Sequence, residues 1–205
     1  MRCTGRKRGS GRSDMRTDEE LIKLYRKGSR DAFEELFARY HRKVIHFAYR
    51  MTGDQARAEE AAQETFLRIA RAAFTWEPKA RFTTWMYTVA RRTTLNFLRD
   101  DKDDREKVPI VPGEETDDGS PAVQLPGPAA LNPEEMAWSA EIQERFVAAL
   151  QKLPEGYRSA FVLNRGDGLS YEEVAAVLGI TVQAVKSRIF RAREMLLESL
   201  SELLP

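Results

Sequence analysis

Apolar residues recur at steps of three and four through most of this chain, and no convincing alternating run interrupts them, so the pattern predicts helices and no sheet. Successive helices fill residues 17 to 100, broken near Gly28, at Gly53 and Asp54, and around Pro78. Thr17 with Glu20 forms a capping box that starts the first of them. On the stretch from Gln55 to Ala72, Ala58, Thr65, Phe66 and Ile69 make an inner stripe and leave Glu60, Gln63, Glu64 and Leu67 outward. From Thr83 to Leu98, Met86, Ala90 and Phe97 mark one side, with Trp85, Arg92 and Asn96 on the other and Arg99 nearby. A second block starts near Glu134, runs to Leu153, breaks at Pro154, resumes from Tyr157 to Asn164 and ends in a helix pair.

That terminal pair has the offsets of a helix-turn-helix. Ser170 and Glu173 form a second capping box, Ala175 is small where two helices must cross, and Gly179 stands where the turn needs a left-handed residue. Thr181 caps the following helix, whose apolar positions are Val182, Val185, Ile189, Ala192 and Leu196. Opposite them lie Gln183, Ser187 and Arg191, flanked by Lys186 and Phe190. Lys and Arg suit phosphate or guanine, Gln suits adenine, and an outward Phe suits a thymine methyl. Phosphate contacts from Lys186, Arg188, Arg191 and Arg193 would give a salt slope of about −3.6, which makes isolated binding weak.

Charge placement sharpens this picture. The net charge over 205 residues is only +1, but the charges are segregated: MRCTGRKRGSGR is basic, the stretch from Asp100 to Asp118 is acidic, and Lys186 to Arg193 holds no acid. Residues 101–133 also carry six prolines and read as a flexible linker, while residues 1–16 read as a disordered basic tail in which Met15 is an alternative start. The expectation is an all-α chain of two small helical domains, 17–100 and 134–203, the second containing the helix-turn-helix. No apolar run of about eighteen residues exists, so no transmembrane helix is expected. Cys3 is the only cysteine and His41 and His46 the only histidines, so neither a disulfide framework nor a metal site is expected, and a reducing cytoplasm fits. No phosphate-binding glycine loop or nucleophile elbow is present, and no cofactor, small-molecule substrate or enzymatic activity is expected.

Aromatic and cationic residues interleave before the outward Trp85: Phe74, Trp76, Arg81 and Phe82. Such a surface suits unpaired bases, which stack on aromatic faces while arginine holds the backbone. Trp85 and Phe82 could equally complete a small core. The acidic face with Leu67 suits a protein partner, or is simply solvated.

The strings DAFEELFARYHRKV, AEEAAQETFLRIA, RFTTWMYTVARRTTLNFLR and LPEGYRSAFVLNRGDGLSYEEVAAVLGITVQAVKSRIFRARE resemble the bacterial RNA polymerase sigma factors of the extracytoplasmic-function group, in that family's order. The resemblance implies an alternative sigma factor whose first domain binds core RNA polymerase and melts the promoter minus-ten element, and whose second reads the minus-thirty-five element. It places Glu60, Gln63, Glu64 and Leu67 at the polymerase, Arg81, Phe82, Trp85, Arg92, Asn96 and Arg99 at the minus-ten single strand, and Gln183, Lys186, Ser187, Arg188, Phe190, Arg191 and Arg193 at the upstream duplex. Arg92 stands where many relatives have Asn, Lys186 replaces a frequent Arg, and Ala184 a common Thr. The acidic linker would thread the polymerase's RNA path or act as a spacer, and an anti-sigma factor would control activity. The alternatives are a stand-alone helix-turn-helix repressor or activator, and an adaptor whose main partner is protein.

Overall fold

The computed structural model describes residues 16–77, 80–100 and 133–201, all helix and connecting turns. Residues 1–15 of the basic tail and nearly all of the acidic linker lie outside the described residues. The first block is α1 (Asp18–Arg26), α2 (Arg30–Thr52), α3 (Gln55–Ala72) and α4 (Phe82–Asp100). The second is α5 (Pro133–Lys152), α6 (Glu155–Phe161), a π-helical turn over Val162–Gly166, α7 (Tyr171–Leu178) and α8 (Val182–Ser201). Pro133, expected in the linker, instead opens α5, a first-turn position where a missing amide costs nothing.

Local chemistry sets the boundaries. In α1 the Thr17 hydroxyl accepts from the Glu20 amide at 3.2 Å while the Glu20 carboxylate accepts from the Thr17 amide at 2.8 Å, and Ser170 and Glu173 repeat the arrangement at α7. Gly53 ends α2 at φ +74°, where a side chain would be strained and its Cβ would stand 3.0 Å from Gln151. Gly179 ends α7 at φ +67°, turning the chain toward α8, whose first turn the Thr181 hydroxyl caps through the Ala184 amide.

Within the first block α2 packs on α1, α3 and α4; within the second, α8 is covered by α5, α6 and α7. The α3 stripe is buried as expected, joined by Ala61 and Ala62. Val185, Ile189, Ala192 and Leu196 bury one side of α8, while Val182 is only half-buried.

The two blocks meet directly, and one buried apolar set runs through both. Polar contacts line the seam. The last carbonyls of α2 lack intrahelical partners, and the second block supplies donors: Gln151 Nε2 to the Arg50 carbonyl at 3.0 Å, Arg158 Nη1 to the Met51 carbonyl at 2.6 Å. Arg158 also donates to the carbonyls of Gln151 and Leu153. Arg91 of α4 reaches Glu155 at 2.7 Å and Ser159 at 3.3 Å, and Arg81 reaches Glu173 at 3.3 Å.

Candidate nucleic-acid interface

The first surface is the outward side of α4 with the turn before it. Arg26 fixes that turn, donating through Nη2 to the carbonyls of Phe74 and Trp76 at 2.8 and 2.7 Å. Glu19 accepts from the Phe82 amide at 3.2 Å, which satisfies one free N–H at the start of α4. With the turn held, Trp76 stacks on Trp85 at 5.1 Å between ring centroids, and Phe82 meets both rings edge-on. Phe82 is buried with 1% of its surface exposed, so its part is to support Trp85 from beneath. Trp85 is half-buried, less open than its helix position suggested. Arg92, Asn96 and Arg99 continue the stripe and are exposed, and Arg81 stands at its start with an exposed side chain. Beside it, Thr84, Thr88 and Arg91 form the neighbouring stripe of α4, and Arg91, with Arg81 at the start of the aromatic stripe, makes the seam contacts to α6 and α7. The seam therefore adjoins the aromatic stripe without covering it.

The second surface is the solvent side of α8. Lys186, Phe190, Arg191 and Arg193 are exposed, and Gln183, Ser187 and Arg188 are half-buried. Arg188 lies along α6, where a Cβ on Gly156 would come within 3.1 Å of its guanidinium. Arg191 holds Glu194 at 2.9 Å in an open ion pair, a contact weak enough to exchange for phosphate or a base. A cationic side chain on a helix that the other side anchors in the core has the form of a groove-reading element.

A third surface is a shallow groove between α3 and α4. Glu60, Gln63, Glu64 and Leu67 line it as α3 predicted, joined by Arg68, Asn96 and Phe97. Leu67 is 52% exposed, and Arg68 is held by Glu64 at 2.7 Å. Asn96 thus borders both this groove and the stripe of α4.

Family models for Sigma-70 region 2 and Sigma-70 region 4 match residues 36–103 and 143–196. The ECF RNA polymerase sigma-E factor of Escherichia coli K12 is 33% identical over 186 residues, covering 89% of this chain and 93% of the relative. The chain belongs to the extracytoplasmic-function sigma factors. The RNA polymerase sigma-H factor of Pseudomonas aeruginosa is 31% identical over 195 residues, with 91% and 95% coverage. Among solved structures, CnrH in complex with the cytosolic domain of CnrY aligns with TM-score 0.66 at 24% identity, over 90% of this chain and 97% of that one. The sigma factor RpoE in complex with the anti-sigma factor NepR from Bartonella quintana aligns with TM-score 0.60 at 24% identity, over 82% and 96%. Both share the all-helical two-domain fold.

As a sigma factor, the protein directs RNA polymerase in transcription initiation, and sigma factors are not classical enzymes. Among the described residues no group of three acids, histidines or cysteines is placed to hold a metal, and no helix is long and apolar enough to cross a membrane. Periodicity missed the residues that hold the aromatic stripe in place. Arg26, Glu19 and Trp76 reach it from other elements, and only the clustering of Trp76 with Trp85 hinted at a pair.

Proposed function

We propose that the sigma factor divides its work between the two blocks, residues 17–100 melting the minus-ten element and residues 134–203 reading the minus-thirty-five element. Glu60, Gln63, Glu64 and Leu67 dock on core RNA polymerase. Trp85 receives an unpaired base, with Arg81, Arg92, Asn96 and Arg99 holding its strand and Phe82 supporting the ring. Lys186, Phe190, Arg191 and Arg193 contact the upstream duplex, with Gln183, Ser187 and Arg188 closer to the helix surface. The linker at 101–132 spans the two. Trp85 supplies a stacking face for single strands, whereas α8 supplies donors for paired DNA. What carries this reading is one chain bearing both, one on each block, with Arg191 56% exposed while the blocks are in contact.

Few phosphate contacts make each surface weak alone, so mounting both on polymerase supplies affinity through linked binding. The protein works in the cytoplasm, without cofactor and without chemistry of its own, and an anti-sigma factor holds it inactive, as the Bartonella relative is bound to one. Co-purification with core polymerase and run-off transcription test the proposal. Promoter-specific transcripts are expected only with both components present. If the chain initiates nowhere yet binds a palindrome tightly alone, it is a stand-alone repressor or activator.

A further inference from the structure

The seam contains one group that does not fit a permanent contact. The π-helical turn ends at Gly166 and delivers Asp167 into the interface, its amide closing on the Val162 carbonyl at 3.0 Å. Gly168 follows at φ +74° and lets the chain turn away toward α7. The Asp167 side chain is 5% exposed, and its Oδ2 has no hydrogen-bond partner. The groups that face it are Lys43 and Arg50 from α2 and Tyr87 from α4. Arg50 Nη1 is the closest cation, but at 3.9 Å from Oδ1 it makes an ion pair without a proper hydrogen bond. Arg50 also passes over Gly166, where a Cβ would stand 2.8 Å from its guanidinium, so the turn is shaped to admit this side chain.

The Tyr87 hydroxyl hydrogen-bonds to Asp167, but a buried carboxylate with one unsatisfied oxygen and a loose ion pair is still costly, whereas the neutral acid in the same place costs far less. We propose that Asp167 is a proton-operated latch between the two blocks: protonated, it lets them close on one another; ionised, it weakens the closure and releases α4 from α7. Burial is the main influence on the group and pushes its pKa up to about 7, while Arg50, Tyr87 and Lys43 pull it down and do not prevail. In an opened chain Asp167 regains water and titrates near the ordinary value of about 3.9. The sign follows. Closure has its full support below about pH 4 and loses it as pH rises through about 7, with a fall of about thirtyfold in the closure constant between about pH 5.5 and about pH 8. His46 sits one turn from Arg50, and burial first, then Arg50 and Arg42, lower its pKa. Any part it plays has the opposite sign, because its neutral form is the one the closed chain favours. Opening matters to the sigma factor because closure ties Arg81, at the start of the aromatic stripe, to the capping residue Glu173 of the helix-turn-helix.

The test is single-molecule energy transfer on the full chain, with dyes on cysteines at the exposed positions Glu59 and Glu198 and Cys3 changed to Ser. The closure constant of the otherwise unaltered chain should fall by tens of fold between about pH 5.5 and about pH 8, while Asp167→Asn should lose that dependence and stay more closed at the upper pH. Arg50→Gln removes the main compensating cation and should move the transition to higher pH, which keeps the idea testable if Asp167→Asn folds poorly. Closure that ignores pH in the unaltered chain, or falls equally in Asp167→Asn, overturns the latch. The distance readout does not involve DNA or polymerase, so a failure here leaves the proposed promoter contacts standing.

Discussion

The outward stripes of α4 and α8 both carry cations, yet they are assembled in opposite ways. On α4 the central side chain leans on others: Trp85 rests on Trp76 from the preceding turn and on buried Phe82, and Arg26 of α1 holds that turn in place. On α8 the exposed cations stand on a helix whose opposite side is already fixed in the core, and Arg191 pairs with its own neighbour Glu194. A face that must offer a stacking plane to an unpaired base has to be held rigid, since mobility would forfeit the stack. Side chains that meet a duplex groove need reach more than rigidity. The α4 stripe should therefore lose stability and function together, and the α8 stripe function alone.

Substitutions along the two stripes separate these cases. The largest effect is expected for Phe82→Ala, which removes a fully buried ring and should cost about 3–5 kcal/mol in urea unfolding. A loss under about 1 kcal/mol would mean that Phe82 supports nothing. Trp85→Ala comes next: it removes a stacking partner worth about 1–3 kcal/mol per base, so open complexes should weaken by that much while closed complexes form normally. Thermal unfolding should also shift downward, because Trp76 loses its neighbour. Arg191→Ala should weaken binding to the upstream element by a similar 1–3 kcal/mol or so, with an unchanged melting temperature. A drop in melting temperature would show α8 to be built like α4. Ser170→Ala breaks the capping box of α7 and should cost about 1 kcal/mol, read as a small loss of upstream affinity through a less fixed α8. Smallest is Arg81→Ala, whose exposed contact to Glu173 should move stability by no more than about 0.5 kcal/mol and whose loss should appear only in promoter opening.

The same contrast explains what was legible in the sequence. Capping boxes at Thr17 and Ser170, the left-handed Gly179 and the buried stripe of α8 follow from residues a few positions apart, and local spacing states them outright. The α8 surface inherits that legibility, since a helix with one anchored side leaves the other exposed. The environment of Trp85 does not, because Trp76 reaches it from the turn before the helix, which Arg26 holds. The seam was harder still. Arg91 and Glu155, or Arg158 and Met51, are brought together across the intervening linker, and no periodicity relates them. Nothing in the local spacing marks Asp167, which the π-helical turn carries inside. Periodicity also separated the outward α3 face from the α4 stripe, whereas the folded groove makes Asn96 border both.

The division of labour between the stripes is tested most directly by run-off transcription with core polymerase on a duplex promoter and on the same promoter pre-opened across its downstream element, comparing Trp85→Ala with Arg191→Ala. Pre-opening should restore most of the output of Trp85→Ala, because melting is the step it lost, and should leave Arg191→Ala impaired. Equal rescue of both, or rescue of Arg191→Ala alone, would contradict the assignment of melting to α4 and duplex reading to α8.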